Sequence, residues 1–195
     1  MYEIKWDKRT GAIRLSESSE FTVKGEIRPV FHEELDLLGF GAYWKYPKSE
    51  EPLLWAIGRK YYHKGEEVAS TKGGGFYCKP NVTVHKKQLS LKPINVSKMI
   101  INNDYLLDGL QHRAIEFIAR VYSDYLPKVD IASVAFSGGK DSLVLLDLVQ
   151  RSLRPDQFIV TFSDTTMELD STYETIERSK EYWSQLTFLK AKSPF

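Results

Sequence analysis

Between the apolar run Ala132-Ser133-Val134-Ala135-Phe136 and a second one, Leu143-Val144-Leu145-Leu146, the chain carries Ser137-Gly138-Gly139-Lys140-Asp141-Ser142. These six residues can hold an anion. Two adjacent glycines let the backbone turn sharply and aim successive N–H groups into one concavity with no Cβ in the way. The start of a helix adds partial positive charge at the same place. Ser137 and Ser142 can donate hydroxyl hydrogen bonds to phosphate oxygens, and Lys140 brings a mobile full charge that can stabilise a phosphate or sulfate group. Asp141 would repel a phosphate, so its expected work is to cap helix amides, with a magnesium ion shared with phosphate as the second choice.

Spacing excludes two commoner phosphate loops. A Walker loop requires glycine where Val134 stands and Ser or Thr where Asp141 stands, and a GxGxxG dinucleotide loop requires a third glycine further on. A bare strand-to-helix turn with a surface lysine is the plain alternative. It is disfavoured because both serines, the lysine and the aspartate all fall in one such turn.

The elements that must position this loop are legible around it. Leu106, Leu107, Leu110, Ala114, Ile115, Phe117, Ile118 and Val121 recur with helical period from Asn103 to Pro127. Ile131 to Phe136 then predicts a strand, Ser142 to Arg151 a helix, and Gln157 to Phe162 a second strand. A helix over Ser171 to Gln185 and an apolar run Leu186-Thr187-Phe188-Leu189 continue the alternation. Alternating strands and helices predict an α/β fold, a partial doubly wound parallel sheet with right-handed crossovers. Ligands of such sheets bind beyond the carboxyl ends of the strands. That places Ser163-Asp164-Thr165, at the end of the second strand, beside the glycine loop, where they could bond ribose or adenine edges. Asp164 and Asp170 could equally serve the next helix.

Residues 1–103 read differently. Aromatics, glycines and prolines break short apolar runs such as Pro52 to Ile57 and Asn81 to Val84, which predicts a small β-rich or α+β accessory module. One brief helix is expected over His32 to Leu38, ending at Gly39, and Gly73-Gly74-Gly75 marks a turn or bulge. Residues 104–195 form the expected nucleotide-binding domain.

Arg59-Lys60-Tyr61-Tyr62-His63-Lys64-Gly65 and Val84-His85-Lys86-Lys87 interleave cations with aromatics, as RNA-binding surfaces do. A net charge of +1 favours the blander reading of a solvated strand face. Cys78 is the one cysteine, which excludes an intrachain disulfide and any four-thiolate cluster held by this chain. It is expected to be a buried or half-buried structural thiol. The four histidines lack ligand company at metal spacing, so no metal site is expected. The chain has no apolar start and no stretch long enough to span a bilayer, so a cytoplasmic protein is expected; oligomeric state, homo-oligomer or not, is open.

Ser137 to Ser142 behind an apolar strand resembles the PP-loop of the N-type ATP pyrophosphatase superfamily. The segment from about Leu110 to Phe195, with Asp164-Thr165-Thr166-Met167-Glu168 and Thr172, resembles the phosphoadenosine phosphosulfate (PAPS) reductase family. The resemblance implies an adenine nucleotide α-hydrolase-like, Rossmann-like domain of which residues 104–195 are the first, truncated half. It implies an adenine nucleotide as ligand, either a sulfonucleotide (PAPS or adenosine phosphosulfate, APS) in sulfur metabolism or ATP with magnesium in an adenylating pyrophosphatase. Sulfonucleotide reductases attack sulfur with a cysteine beyond this region, so the resemblance also implies a missing C-terminal part that would carry the catalytic cysteines or an iron–sulfur cluster. Modules like residues 1–103 precede this domain in some relatives and resemble RNA-binding folds. A non-catalytic nucleotide- or RNA-binding module is the remaining alternative.

Overall fold

The computed structural model describes residues 2–17, 26–75 and 78–192. The chain divides into two compact units, Met1–Leu107 and Asp108–Phe195.

In the first unit, β1 (Tyr2–Trp6) pairs antiparallel with β2 (Ile13–Glu17), Trp6 lying opposite Ile13. Asp7 shapes the connecting turn: its carboxylate accepts from the backbone amides of Arg9 and Thr10 and from the Thr10 hydroxyl. Then comes β3 (Ile27–Val30), followed by α1 (His32–Leu37). Glu33 and Glu34 in the first turn of α1 suit the helix dipole, and the chain leaves α1 at Gly39, whose φ of 75° is the left-handed stop expected of glycine. β4 (Leu54–Ile57), β5 (Lys60–His63), β6 (Glu66–Lys72) and β7 (Asn81–Val84) complete a five-stranded antiparallel meander with β3 at its edge. Its core gathers Val30, Leu35, Phe40, Trp44, Leu54 and Val68, with Phe40 and Trp44 stacked at 4.3 Å. Half-buried charged groups beside this core are matched. Arg28 bonds both oxygens of Glu34, and Tyr61 donates to the same carboxylate at 2.7 Å. α2 (Val96–Ile101), which the pattern did not predict, is capped by the Asn95 side chain.

α3 (Asp104–Tyr125) follows the apolar period, yet none of its residues is fully buried; Phe117 and Tyr125 stay more than half exposed. After it come β8 (Ala132–Ala135), α4 (Lys140–Ser152), β9 (Phe158–Asp164), α5 (Asp170–Tyr182) and β10 (Phe188–Lys192). The three strands are parallel in the order β10-β9-β8. Both crossovers step in the same direction, and right-handed connections then bring their helices to one face. Burial shows this. Val134, Phe136, Phe158, Val160 and Phe162 share a core with Leu146 and Val149 of α4 and with Ile176 of α5. On the other face, Ser133 and Ala135 are exposed and Ile159 and Thr161 half-buried.

The alternation expected from Ile131 onward is thus realised, with shifted ends. α4 starts two residues earlier than Ser142, because the glycine pair already supplies its N-cap at Gly139. β10 starts two residues later than Leu186, whose amide instead closes a turn onto the Trp183 carbonyl at 2.9 Å.

The basic-aromatic runs of the first unit are largely neutralised where they stand. Lys60 pairs with Glu67 and Lys86 with Glu66, both at 2.8 Å, and His85 lies 3.4 Å from Glu67. Cross-strand pairing of this kind is what a solvated strand face provides. Cys78, expected to be buried or half-buried, is exposed. It sits in the tight reversal between β6 and β7, where Gly75 and Cys78 exchange backbone hydrogen bonds, and a reversal that short has no interior.

Candidate nucleotide site at the ends of β8 and β9

β8 delivers the chain to its carboxyl end through Phe136, which is buried and whose amide makes the last bond to β9, donating to the Thr161 carbonyl at 2.8 Å. The next residue, Ser137, is exposed. Gly138 has φ +75°, and a Cβ there would lie 3.4 Å from Thr172 Cγ2 and 3.6 Å from Ile176 Cγ1. Glycine is required for the left-handed backbone, while a Cβ there would meet α5 at ordinary van der Waals distance. Gly139 returns to extended geometry as N-cap, and α4 begins at Lys140.

The two serines are not equivalent. Ser142 Oγ donates to the Gly139 carbonyl at 2.9 Å and accepts from the Ser137 amide at 3.3 Å, bracing the loop across its mouth. Its one proton is therefore committed. Ser137 Oγ lies 3.2 Å from Ser142 Oγ and 3.4 Å from the Gly139 amide. Because Ser142 gives its proton to the carbonyl, Ser137 is the donor between the two hydroxyls, and it can turn to an incoming oxygen at the loss of one contact.

Lys140 reaches back to its neighbour Asp141, Nζ lying 3.1 Å and 3.3 Å from the two carboxylate oxygens. Both side chains are well exposed, so this pairing is weak and easily exchanged. Asp141 does not cap the helix as expected. With Gly139 as N-cap, Asp141 already lies inside the first turn, and no side chain caps the helix there; it contributes only a negative charge near the positive helix end.

At the end of β9, Asp164 is buried and fully engaged. One oxygen accepts from the Thr166 amide at 2.9 Å and from the Tyr173 hydroxyl at 2.6 Å; the other meets Lys190 Nζ at 2.7 Å. Lys190, the Tyr173 hydroxyl and the Thr166 amide together hold this carboxyl well below the ordinary carboxylate range, and the same bond pushes the Tyr173 phenol up to about 12. The brace ties β9, α5 and β10 together and fixes Thr166 at φ +63°. Thr165 donates to Glu168 at 2.8 Å.

A cleft of about 210 Å³ opens between the two loops, lined by Ala135, Phe136, Ser137, Thr161, Phe162, Ser163 and Glu168. Of the residues singled out from the sequence, Ser137 and Ser163 line it directly. Gly138, Gly139, Lys140, Asp141 and Ser142 form the turn that follows Ser137. Asp164 and Thr165 stand behind Ser163 and do not line the cleft. Sequence reasoning did not single out Glu168, Tyr173 or Lys190 as site residues. Glu168 closes the acidic string that begins at Asp164 and was within reach; Lys190 could be found only by knowing that β10 pairs Lys192 with Asp164 and Lys190 with Phe162. Among the described residues no three His, Cys, Asp or Glu side chains are grouped to hold a metal ion. An iron–sulfur cluster needs several thiolates, and one cysteine does not fit such a group. No described helix is long and apolar enough to cross a membrane.

Comparison with known proteins points the same way as the geometry. Residues 131–194 match the model of the phosphoadenosine phosphosulfate reductase domain. The adenosine 5′-phosphosulfate reductase of Lysinibacillus sphaericus is 34% identical over 92 residues, which is 47% of this chain and 37% of that protein. A protein of Methanocaldococcus jannaschii without an assigned function is 36% identical over 85 residues, 44% of this chain and 17% of the relative. The chain thus spans well under half the length of each relative. With a parallel strand–loop–helix unit and a glycine turn at its carboxyl edge, residues 131–194 are similar to the phosphoadenosine phosphosulfate reductase domain.

Proposed function

We propose that the C-terminal unit binds an adenine sulfonucleotide, PAPS or APS, and serves sulfur metabolism as the nucleotide-holding part of a sulfonucleotide enzyme. The observation that carries this reading is the Gly138 turn, packed on Thr172 and opening onto the cleft at the ends of β8 and β9. Phosphate belongs on the loop side. There the backbone amides of the turn, the Ser137 hydroxyl and Lys140 converge with the helix N-terminus, and Lys140 leaves Asp141 to neutralise charge on the phosphate or sulfate. Ribose belongs on the Ser163 and Glu168 side, because a carboxylate accepts hydroxyl protons and repels phosphate.

Asp164 acts in this scheme by positioning Ser163 and the Thr166 turn. At about 210 Å³ the cleft takes the phosphate–ribose portion of a nucleotide, and the base extends beyond it. Reduction of the sulfonyl group requires a thiol nucleophile. No cysteine lines this cleft, and Cys78 belongs to the other unit, so no reductive step is assigned to these residues.

Calorimetric titration with PAPS, APS, magnesium-ATP and AMP tests the reading. Tightest binding of a sulfonucleotide is expected, with Lys140→Ala weakening it by about 1.5–3 kcal/mol while the circular dichroism spectrum stays unchanged. Preference for magnesium-ATP would replace the proposal by adenylating chemistry. Unchanged affinity in the lysine variant would remove the loop from the site.

A further inference from the structure

The first unit contains a second, differently built cleft. It measures about 410 Å³ and is lined by Arg9, Thr10, Gly11, Leu53, His63, Lys64, Ser90, Lys92, Pro93, Ile94 and Asn95. Buried Leu53 and Ile94 form an apolar floor, and three cationic side chains stand at its walls with no carboxylate among the lining residues. Their pairing differs from that of the basic strand residues Lys60 and Lys86. Lys60 and Lys86 are neutralised by Glu67 and Glu66, whereas none of Arg9, Lys64 and Lys92 forms a salt bridge among the described residues. The adjoining carboxylates are turned to the backbone: Asp7 accepts from the amides of Arg9 and Thr10, and Glu51 from the amide of Val96.

Lys64 is also held in a conformation that its residue type disfavours. It opens the two-residue turn between β5 and β6 with φ +55°, followed by Gly65 at +86°. Two successive positive φ angles are the pattern of a type I′ hairpin, where asparagine or aspartate is the ordinary choice at the first position. The surroundings enforce the turn. A Cβ at Gly65 would fall 2.8 Å from Trp6, which stacks on Tyr62, so the hairpin sits directly on that ring. The stem of Lys64 passes over Gly11, 3.6 Å from where a Cβ would lie. Non-glycine residues kept at positive φ tend to mark functional positions. Burial, with Lys64 and Lys86 nearby and Glu66 opposing, lowers the pKa of His63, so it lines the cleft as a neutral imidazole.

From the convergence of Arg9, Lys64 and Lys92 on an apolar-floored cleft we infer that the first unit binds a phosphate-ester anion. The Ser90 hydroxyl and the Asn95 side-chain NH2 supply the neutral contacts. A mononucleotide's phosphate and the backbone of a single strand share this chemistry.

The test uses the full chain carrying Lys140→Ala, so that binding at the other loop does not dominate. Inorganic pyrophosphate, AMP and a short oligothymidylate are each titrated and followed by backbone amide shifts. Shifts at Gly11, Lys64 and Asn95 are expected. Lys64→Asn keeps the turn and removes the charge, so it should lose about tenfold in affinity without any fall in melting temperature, and Lys92→Gln should lose a similar factor. Tighter binding of AMP than of the oligothymidylate identifies a mononucleotide site. The reverse order, with a steeper salt dependence, identifies a strand backbone. Absence of shifts at these amides, or affinity unchanged in both variants, would overturn the inference.

Discussion

β4 and β5 are joined by Gly58-Arg59, and β5 and β6 by Lys64-Gly65, whereas β8 and β9 each give way to a loop and then a helix before the next strand begins. An antiparallel meander uses up its strand ends in hairpins and scatters its turns over both edges. A parallel sheet sends every strand end to the same edge, so its loops gather there. The two clefts reflect this. In the first unit the cations come from segments far apart in sequence, Arg9, Lys64 and Lys92, which the fold brings to one cleft. In the second, β8 runs directly into the glycine loop, and the β9 loop meets it only because the strands are neighbours.

The largest expected effect separates the two cores. Leu146 is fully buried beneath the parallel sheet, and Leu146→Ala should cost about 2–5 kcal/mol. Hydrogen exchange should then show the loss in β9 amides and leave β4 and β5 protected; equal loss in both sheets would mean that they unfold as one and would break the comparison. A smaller effect is expected at the turn itself. Gly138→Ala forces a side chain to φ +75° against Thr172, costing about 1–2 kcal/mol in urea unfolding while weakening nucleotide binding. A neutral outcome would show that the loop is less rigid than the hairpins of the first unit.

The smallest effect at neutral pH, and the sharpest in shape, concerns the brace. The pKa of Asp164 is lowered on folding, so its contribution is present at neutral pH. It begins to fade as pH falls toward about 4, where the unfolded carboxyl takes up a proton, and is lost as pH falls further through the native value. Tyr173, raised to about 12, contributes below the unfolded phenol value near 10, and that contribution is lost as pH rises through 12. Melting temperature measured against pH should therefore decline at both ends, and Asp164→Asn should flatten both limbs. An unaltered profile would remove the brace from the stability of the parallel sheet.

Much of the second unit was readable because its signals are local. A run of apolar residues, two glycines and a helical period fix a strand, a sharp turn and a helix whatever lies around them, and β8, α4, β9 and α5 fall within a few residues of expectation. Asp141 shows the limit of such reading. Its capping role failed because the choice of Gly139 as N-cap left it two residues inside the helix, a difference that composition does not settle. The exposure of Cys78 likewise followed from a reversal too short to have an interior.

The residues that could turn and cradle an anion were determined by the sequence alone, since left-handed backbone and amide-lined concavities follow from residue type. Tertiary structure decided the partners. Asp164 was turned from the cleft into a brace by Tyr173 and Lys190, residues 9 and 26 positions further on, which only strand register brings to it. Arg9, Lys64 and Lys92, far apart in sequence, line one cleft only because the fold brings their segments together.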